Sequence, residues 1–377
     1  MQSVDQLTAD IVRETPIVRS ARVVQASGIF DLPDQTASRV AWHVELPLAE
    51  RDWNIGLIVG PSGSGKSTVA RHFWPELYAR QGFEWPEDRS VLDAFPSDLG
   101  IKEILELLSS VGFNSPPSWL RPFRVLSVGE QFRVTLARML AENRELALMD
   151  EFTSTVDRTV AQIGSNALAK TVRRRKQRFI AVSCHDDIEE WLQPDWTYRP
   201  DVNRFEWRLL QRRPTVGLEI FDVHYSAWAI FKAHHYLSAS LHKSARCFTA
   251  MYRGRPVAFA AWLPFVGRSR GSIRRCTRIV TLPDYQGVGI GNALLEETAK
   301  YWIARGCRAT IATSHPGMMA SLNRSCRWRM IRAPALASPG GRSSVGGGAD
   351  RSRALARFTA SFEYRADPKP DTRHLAA

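Results

Sequence analysis

Nine consecutive residues in the first third of the chain are of the types that surround a phosphate group. The segment comprises Gly60, Pro61, Ser62, Gly63, Ser64, Gly65, Lys66, Ser67 and Thr68. Its glycines allow several backbone N–H groups to point at one anion, and a helix that begins within the segment adds a favourable dipole. Lys66 is expected to reach the β- and γ-phosphates, and the Ser67 hydroxyl to bind Mg²⁺. The pattern therefore predicts a nucleotide site made by Gly60, Ser62, Gly63, Gly65, Lys66, Ser67 and Thr68.

Two adjacent carboxylates, Asp150 and Glu151, follow the apolar segment Leu146–Met149. A carboxylate at the end of a buried parallel strand lies where the sheet opens toward a bound nucleotide. Asp150 is expected to hold Mg²⁺ directly or through water. Glu151 is expected to act as the general base for the attacking water. Together with the phosphate loop, the pair predicts nucleotide hydrolysis.

A second glycine-rich turn lies in the last third of the chain and contains Gln286, Gly287, Gly289 and Gly291. It is expected to follow a strand at 273–282 and to precede an amphipathic helix at 292–305. A glycine turn between a strand and a helix can form a phosphate cradle. A tight β–α turn without a ligand would explain the glycines alone.

The elements that must position these residues are predicted from apolar runs and turn residues. A buried strand at 54–59 enters the phosphate loop, and an antiparallel β-layer is expected from about 17 to 59. A further strand is expected at 179–183. In the second half we expect a helix at 227–237, two strands at 245–253 and 255–263 joined at Gly254, and strands at 308–313 and 355–364. The result is an α/β protein whose second part is α+β.

The charge is distributed unevenly along the 377 residues, whose formal net charge is +13. Residues 201–377 hold 28 Lys/Arg and 11 Asp/Glu, a net charge of +17, whereas residues 1–200 carry −4. Such an asymmetry indicates a polyanionic partner for the second half, and nucleic acid is the commonest. A solvated basic surface, or one that meets only a phosphorylated cofactor, remains the alternative.

The composition favours a cytoplasmic protein. The five cysteines are scattered without CxxC spacing, which favours reduced thiols over a disulfide or zinc framework. No apolar run approaches the roughly 18 residues of a membrane helix, and the amino terminus lacks the pattern of a signal peptide.

Further motifs resemble those of the ABC-type ATPases. Leu126-Ser127-Val128-Gly129-Glu130 resembles the LSGGQ signature, residues 154–157 resemble the D-loop, and His185 resembles the switch histidine. The family implies two subunits that enclose ATP between them. Ser127 and Gly129 of one subunit would then face the γ-phosphate held by Lys66 of the other. Asp157 and His185 would complete the site, and a homodimer or a partner ATPase is implied.

Two motifs depart from the family pattern. The signature has Val128 and Glu130 where glycine and glutamine are usual, and Asp93 stands where the Q-loop glutamine is expected. Communication to the helical insert, placed at about 99–122, is therefore in doubt. Phe30 is a candidate for stacking on adenine, and a core aromatic is the alternative.

The second glycine turn, set after antiparallel strands, resembles the pyrophosphate loop of the GNAT acyltransferases over about 215–364. The resemblance implies an acyl-CoA substrate, acetyl-CoA or another, bound by Gln286, Gly287, Gly289 and Gly291. The tyrosine general acid of many such enzymes is replaced by Asn323. His234, His235, Tyr236, His242 and Lys243 form a cluster that could supply proton transfer. Surface or packing roles are the alternative for these residues.

The segment 234–238 also resembles the phage Mom-type enzymes, GNAT relatives that modify adenine in DNA. We therefore expect an ABC-type domain at 1–200, a linker at 201–214, a GNAT-like domain at 215–365 and a tail at 366–377. The favoured hypothesis is an ATP-hydrolysing protein coupled to an acyltransferase that acts on nucleic acid or on a protein bound to it. In the alternative the GNAT-like half is a non-catalytic module that binds DNA or a partner, and a transporter subunit is the third hypothesis.

Overall fold

The computed structural model describes residues 7–33, 35–208, 217–235, 240–265, 272–336 and 358–365. Part of the expected linker, most of the Gly/Ser-rich segment at 333–350, the expected tail and Tyr236 lie outside these residues. The chain forms two compact units. The first comprises residues 1–84, 143–157 and 168–214, and the second residues 85–142, 158–167 and 215–377. Each unit is described by itself, and the domain boundaries expected from sequence stay a prediction.

The described residues contain fourteen strands, which are numbered in chain order. They are β1 (Leu7–Pro16), β2 (Ala37–Leu46), β3 (Ile55–Val59), β4 (Leu146–Met149), β5 (Arg178–Ser183), β6 (Trp196–Arg199), β7 (Arg204–Trp207), β8 (Glu219–Val223), β9 (Arg246–Tyr252), β10 (Arg255–Phe265), β11 (Ile273–Thr281), β12 (Arg308–Thr313), β13 (Trp328–Leu336) and β14 (Phe358–Tyr364). The strands expected around 54–59, 146–149, 179–183, 245–263, 273–282, 308–313 and 355–364 are present, with ends that differ by a few residues.

The α-helices of the described chain are numbered in the same way. They are α1 (Ala21–Ile29), α2 (Lys66–Phe73), α3 (Pro75–Ala79), α4 (Ile101–Ser110), α5 (Pro116–Trp119), α6 (Val128–Glu142), α7 (Arg158–Arg175), α8 (Ile188–Leu192), α9 (Trp228–Phe231), α10 (Ile290–Ile303) and α11 (Pro316–Arg324). No helix in the described ranges is long and apolar enough to cross a membrane.

The first unit is built on a five-stranded sheet in the order β4-β5-β3-β6-β7. The first four strands are mutually parallel, and β7 pairs antiparallel with β6. Every residue of β3 is buried, as its unbroken apolar run predicts for a strand covered on both faces. The carboxyl ends of β4, β5 and β3 therefore meet at one edge of the sheet.

An antiparallel hairpin of β1 and β2 packs on the same core. Ile11, Val44 and Leu46 lie in one cluster with Ile58 and Val69. The expected β-layer from about residue 17 is wrong in its first part, because 21–29 form helix α1 and the first strand begins earlier. The Ser20 hydroxyl caps α1 by accepting a 3.3 Å hydrogen bond from the Val23 N–H.

The second unit contains a seven-stranded sheet in the order β13-β14-β12-β11-β10-β9-β8. It is antiparallel except between β11 and β12, which run parallel. Helix α10 packs on one face, where Leu294 and Leu295 join a core with Ala260 and Trp262. Helix α9 packs on the other face through Trp228 and Phe231. The mixed α/β fold with an α+β second part is confirmed.

Helices α4, α5 and α6 belong to this second unit. Helix α4 contacts both α6 and α11. A side chain at Gly317 of α11 would place its Cβ 2.9 Å from the Cβ of Ser109, so the two backbones approach closely. The helical insert and the glycine turn at 286–291 are therefore parts of one compact body.

Candidate functional site

The first glycine loop begins at the carboxyl end of β3 and leads directly into α2. Lys66 is the first residue of α2 and is only 9% exposed, and its Nζ donates a 2.6 Å hydrogen bond to the Pro61 carbonyl. Gly65 precedes the helix in the left-handed conformation (φ 94°), and no side chain among the described residues caps the helix. The helix therefore starts with free N–H groups and a buried cation, which is an arrangement suited to a phosphate.

Trp42 of β2 braces this loop, a contact that the sequence did not indicate. Its indole Nε1 donates a 2.8 Å hydrogen bond to the Ser64 carbonyl. A Cβ on Gly65 would lie 2.3 Å from the same ring, so only glycine fits beneath it. The β1–β2 hairpin thus fixes the path of the loop.

Asp150 and Glu151 follow β4, as expected, and their surroundings add two residues. The Tyr78 hydroxyl donates a 2.7 Å hydrogen bond to Asp150 Oδ2, and the Asp150 N–H donates to Gln81 Oε1 at 2.6 Å. Arg71 lies over the Tyr78 ring at 4.7 Å. Gln81 therefore holds the backbone of Asp150, while Tyr78 holds its carboxylate. The break between α2 and α3 at Pro75 is the only sequence signal for the turn that brings Tyr78 there.

Glu151 is exposed and has a positive φ of 51°, which is rare for a residue with a side chain. Its N–H donates a 2.9 Å hydrogen bond to Asp150 Oδ1. Strained backbone of this kind is concentrated at functional sites, where the surrounding structure holds it. The conformation directs the chain sharply away from the end of β4.

His185 lies just after β5, and the carboxyl end of β5 is next to those of β3 and β4. Ser183 is in register with Val59, the last residue before the first glycine loop. The Ser183 hydroxyl donates to the Phe152 carbonyl at 3.2 Å and accepts from the His185 N–H at 3.2 Å. The structure therefore brings together the loop, the carboxylate pair and His185 at one edge of the sheet.

The signature segment lies in the second unit, at the start of α6. The Ser127 N–H and hydroxyl both donate to Glu130 Oε2, at 3.0 and 3.1 Å, and the Glu130 N–H donates to Ser127 Oγ at 3.3 Å. This reciprocal capping explains why a glutamate at this position stabilises the helix start. Val128 is 54% exposed, so the unusual valine presents an apolar side chain to solvent. Gly129 lies in the first turn of α6, where its Cβ would meet Val160 at 3.6 Å.

The structure also locates three other expected residues, whose roles stay predictions. Asp157 is exposed and precedes α7 in the first unit. Asp93 lies in a short 3₁₀ helix, Val91–Ala94, of the second unit. Phe30 is 72% exposed and is therefore not a core aromatic, whereas stacking on adenine stays a prediction.

The second glycine turn repeats the local geometry of the first. Gly289 precedes α10 with φ 100° and ψ 9°, close to the 94° and 8° of Gly65 before α2. The backbone N–H groups from Gly287 to Gly291 donate no hydrogen bond within the described chain. A Cβ on Gly289 would meet no atom within 4 Å, so this side of the turn is open. The turn is a nest of N–H groups at a helix start and suits an anion.

The helical insert covers the other side of the same turn. The Asn114 N–H donates a 2.8 Å hydrogen bond to Gln286 Oε1, while Gln286 Nε2 donates to the Thr281 carbonyl at 2.8 Å. A Cβ on Gly287 would lie 2.8 Å from Gly112 Cα, which shows how closely the two backbones approach. The Gln286 side chain is therefore used to hold the insert against the turn.

Arg133 of the signature helix adds a second connection. It is 1% exposed, and its Nη2 donates a 3.0 Å hydrogen bond to the Asp284 carbonyl just before the turn. Burying a guanidinium is unfavourable unless it is hydrogen-bonded, so this contact helps to fix the position of α6. The signature helix and the second glycine turn are thus joined by a direct hydrogen bond.

The region of the missing tyrosine contains a buried histidine instead. Asn323 is exposed near the end of α11. His315 caps the start of that helix by accepting a 3.3 Å hydrogen bond from the Met318 N–H. Burial lowers the pKa of His315 to about 4, although a hydrogen bond with the Asn114 backbone opposes the shift. This imidazole is neutral near pH 7, so it positions α11 and does not supply a proton.

The expected histidine cluster is spread along a surface segment. The expected helix at 227–237 is instead a succession of short pieces, Tyr225–Ala227, α9 and Lys232–His234. His234 and Lys243 are exposed, and His235 packs at 5.5 Å from the Trp228 ring. His242 hydrogen-bonds to Ser244 at 2.7 Å. A role of these residues in proton transfer stays a prediction.

Comparison with known proteins agrees with both parts. Residues 243–322 match the family model of the acetyltransferase (GNAT) domain. An uncharacterized ABC transporter ATP-binding protein of Synechocystis sp. is 33% identical over 143 residues, which cover 30% of this chain and 21% of that protein. The chain thus spans about a fifth of this relative's length.

Two solved structures are similar at low sequence identity. One is a dimeric post-hydrolysis state of the ATP-binding cassette MJ0796 bound to ADP and Pi, at 19% identity and a TM-score of 0.36, covering 45% of this chain and 92% of that one. The other is the ribosomal-protein-S18-alanine N-acetyltransferase from Escherichia coli, at 16% identity and a TM-score of 0.29, covering 39% of this chain and 93% of that one. The chain combines an ABC ATPase-like amino-terminal region with a GNAT-like carboxy-terminal region.

Proposed function

We propose that this chain, with its ABC ATPase-like region and its GNAT domain, is an ATPase that controls an acyl-CoA-dependent N-acyltransferase acting on nucleic acid or on a protein bound to it. The observation that carries the coupling is the contact of the helical insert and the signature helix with the second glycine turn. Asn114 donates a 2.8 Å hydrogen bond to Gln286 in the turn, and Arg133 donates a 3.0 Å hydrogen bond to the Asp284 carbonyl just before it.

In the ATPase half, Lys66 and the N–H groups at the start of α2 bind the phosphates. Asp150 and Ser67 supply oxygen donors, which suit Mg²⁺, and the hydrogen bond from Tyr78 holds the Asp150 carboxylate in place. When bound, Mg²⁺ neutralises charge on the phosphates. Glu151 accepts the proton of the attacking water, and His185 contacts the γ-phosphate.

In the GNAT half, the N–H groups of Gly287, Gly289 and Gly291 bind the pyrophosphate of acyl-CoA on the open side of the turn. An amine of the acceptor attacks the thioester carbonyl, a C–N bond forms, the C–S bond breaks, and the amine proton is transferred to the departing thiolate. Asn323 cannot donate that proton. Among the exposed histidines, His234 or His242 would carry it, since an imidazole can both accept and donate a proton.

A nucleic acid acceptor is supported by charge. Residues 201–377 carry a net charge of +17, whereas the rest of the chain is slightly acidic. A basic surface attracts the phosphate backbone and raises the local concentration of acceptor amines. A homodimer follows if ATP is enclosed between Lys66 of one chain and Ser127 of its partner.

The test is acyl transfer with defined components. The protein is incubated with labelled acetyl-CoA, ATP and duplex DNA, the DNA is digested to nucleosides, and both nucleosides and protein are analysed by mass spectrometry. We expect an acylated nucleoside or an acylated protein, and neither with the Gly289→Glu variant. Unmodified nucleosides together with unmodified protein would reject the acyltransferase.

Two observations favour the alternative, a non-catalytic module. The insert covers the Gln286 and Gly287 side of the turn, and an exposed Asn323 stands where a general acid is usual. In that case ATP hydrolysis is the only reaction, and the GNAT domain binds DNA or a partner. Calorimetric titration with acetyl-CoA separates the two functions. The acyltransferase must bind acetyl-CoA, and Gly289→Glu must abolish that binding, whereas the non-catalytic module has no need to bind it.

A further inference from the structure

The pairing of β10 with β11 contains a bulge that changes the direction of the side chains. Ala261 is opposite Arg278, but the next residue, Trp262, is opposite Cys276. Thr277 is therefore an extra residue on β11, and the alternation of faces is interrupted there. Residues on the two sides of Thr277 no longer follow the period of two.

The bulge places two arginines on one face of the sheet. Arg278 is opposite Ala261, and Arg275 is opposite Leu263, which is two residues further along β10. Since directly opposed residues share a face, Arg275 and Arg278 lie on the face of Ala261. This is the face covered by α9, because Ala261 packs with Trp228 and Phe231.

The neighbouring Arg274 lies on the opposite face. It is opposite Pro264, on the side of Trp262 and α10, and its guanidinium stacks on Trp302 of α10 at 4.6 Å. Arg274 thus has the same charge and nearly the same position in the sequence as Arg275, but faces away from it. It is a matched control for the pair.

The two guanidiniums are half-buried and form no ion pair with an acidic residue in the part of the chain that the structure describes. Burial lowers the pKa of both Arg275 and Arg278, and no carboxylate of the described chain contributes to either pKa. Arg275 lies over the Phe265 ring at 3.5 Å and donates no hydrogen bond to another described residue. Two carboxylates elsewhere in this sheet already pair with other arginines: Asp222 with Arg246, and Glu363 with Arg308 and Arg329.

Arg278 is held in place by carbonyl groups. Its Nη1 donates to the Thr277 carbonyl at 2.8 Å, and its Nη2 donates to the Ser240 carbonyl at 2.9 Å. Ser240 precedes His242 and Lys243, both of which are exposed. A positive charge fixed by neutral acceptors keeps its attraction for an external anion.

The pair also lies where the sheet opens. The parallel pairing of β11 with β12 covers Ile273 to Cys276 and stops at Thr277. The second glycine turn leads into α10, which covers the other face of the sheet. A cofactor bound at the turn would therefore approach the gap between β11 and β12 from the α10 side. A second substrate on the Arg275 face would approach the same gap from the opposite side.

We propose that Arg275 and Arg278 form a phosphate-binding site for the acceptor, and that they hold the phosphodiester backbone of nucleic acid beside the gap between β11 and β12. This inference rests on the proposed function, since it names the acceptor of that reaction. Two cations on one face contact two phosphates or one phosphate from two sides, and they orient the acceptor without reading its sequence.

The test measures binding alone, with the full chain and no acyl-CoA. A fluorescein-labelled duplex oligonucleotide is titrated with wild type, Arg275→Ala, Arg278→Ala, the double variant and Arg274→Ala, and anisotropy is followed at several salt concentrations. We expect the double variant to bind at least about tenfold more weakly, with a salt dependence reduced by about one unit per lost phosphate contact. Arg274→Ala should bind like the wild type.

Two results would overturn the site. One is wild-type affinity in the double variant, and the other is an equal loss in Arg274→Ala, which would indicate general charge. Arg275→Gln and Arg278→Gln retain most of the side-chain length and replace the alanine variants if those fail to fold. Titration with a mononucleotide distinguishes a free nucleotide from the nucleic acid backbone as the ligand. If the arginine variants weaken mononucleotide binding and duplex binding equally, the site does not bind the backbone. Arginine-dependent DNA binding without acyl transfer would keep the site and reject only the proposed reaction.

Discussion

At the residue scale, Lys66 shows how the first site is prepared. Its ammonium is buried and bound to the Pro61 carbonyl at 2.6 Å, within the loop that it is proposed to serve. A phosphate that enters the loop can replace this carbonyl as the acceptor of the Lys66 hydrogen bond. The bond to a charged phosphate oxygen is stronger than the bond to a neutral carbonyl. Binding therefore needs only a small displacement of the side chain.

Replacement of the proposed base tests the hydrolytic step. Glu151→Gln removes the proton acceptor and keeps the size of the side chain, so we expect ATP hydrolysis to slow by about 10²–10⁴-fold while ATP binding persists. Steady-state phosphate release and calorimetric ATP binding measure the two effects. Lys66→Ala is the control that loses binding. Hydrolysis at the wild-type rate in Glu151→Gln would show that another group is the base.

The buried His315 predicts a dependence of stability on pH. Burial lowers its pKa to about 4, below the value near 6.5 of the unfolded chain. Between pH 6.5 and pH 4, His315 is therefore protonated in the unfolded state but neutral in the folded state. The free energy of unfolding should fall as the pH drops from about 6.5 toward 4, by about 2 kcal/mol at pH 5.

Denaturant unfolding at pH 7 and pH 5 checks this. His315→Asn retains an oxygen that can accept from the Met318 N–H and removes the titrating group, so the difference between the two pH values should shrink by about 2 kcal/mol. An unchanged difference in the variant would assign the pH dependence to other residues.

Much of the first site follows from residue types in fixed order, because the phosphate loop and the carboxylate pair act through local backbone geometry. Trp42, Tyr78 and Gln81 could not be predicted in the same way. Each reaches its partner across a tertiary contact, and a lone tryptophan or tyrosine is usually a core residue. The side chains that position a site are therefore less visible in sequence than those that bind the ligand.

At the scale of elements, β3, β4 and β5 were predicted because buried parallel strands are continuous apolar runs, whereas β8 and β13 of the antiparallel sheet were not predicted. Helix α1 was missed, since its nine residues contain no buried position and hence no apolar face. The short helical pieces after residue 224 were predicted as one helix, because propensity does not indicate where tertiary contacts end a helix. The bulge at Thr277 has no signal in the sequence of β11, since it arises from pairing with β10.

The contact between the insert and the second glycine turn gives a prediction at this scale. A Cβ on Gly112 would lie 2.6 Å from the Gln286 carbonyl oxygen, and the residue has a φ of 89°. Gly112→Ala should destabilise the second unit by about 2–4 kcal/mol, from backbone strain together with overpacking. Thermal unfolding and the affinity for acetyl-CoA measure the effect.

Gly82→Ala is the matched control, because its Cβ would meet no atom within 4 Å and its φ is not in the left-handed region. We expect Gly82→Ala to unfold within about 1 °C of the wild type. A variant Gly112→Ala as stable as Gly82→Ala would mean that the insert can leave the turn at little cost.

At the scale of the whole molecule, the chain carries two glycine loops of the same backbone form in two compact units. The insert and signature helix, which the ABC resemblance assigns to ATP-dependent closure, are packed in the unit of the GNAT domain. If one ligand shifts the position of these helices, the other ligand must respond by the same factor in affinity. Under the proposed function, both ligands would act on these same helices.

This linkage is measurable in a dimer. In Glu151→Gln we expect ATP to double the mass seen by light scattering and to change the affinity for acetyl-CoA by about 5–150-fold, a usual range for coupled sites. Lys66→Ala should remain a monomer with unchanged acetyl-CoA affinity. A dimer whose acetyl-CoA affinity does not respond to ATP would separate the two activities.

The hydrogen bonds between Ser127 and Glu130 have a consequence for the order of events. In an ATP sandwich the Ser127 hydroxyl would turn to the γ-phosphate of the partner, but here a carboxylate of its own helix already occupies it. The Glu130 carboxylate would therefore compete with the γ-phosphate for the Ser127 hydroxyl. Closure to the proposed sandwich would exchange one negative ligand of Ser127 for another. We therefore expect this glutamate to raise the ATP concentration at which two chains close.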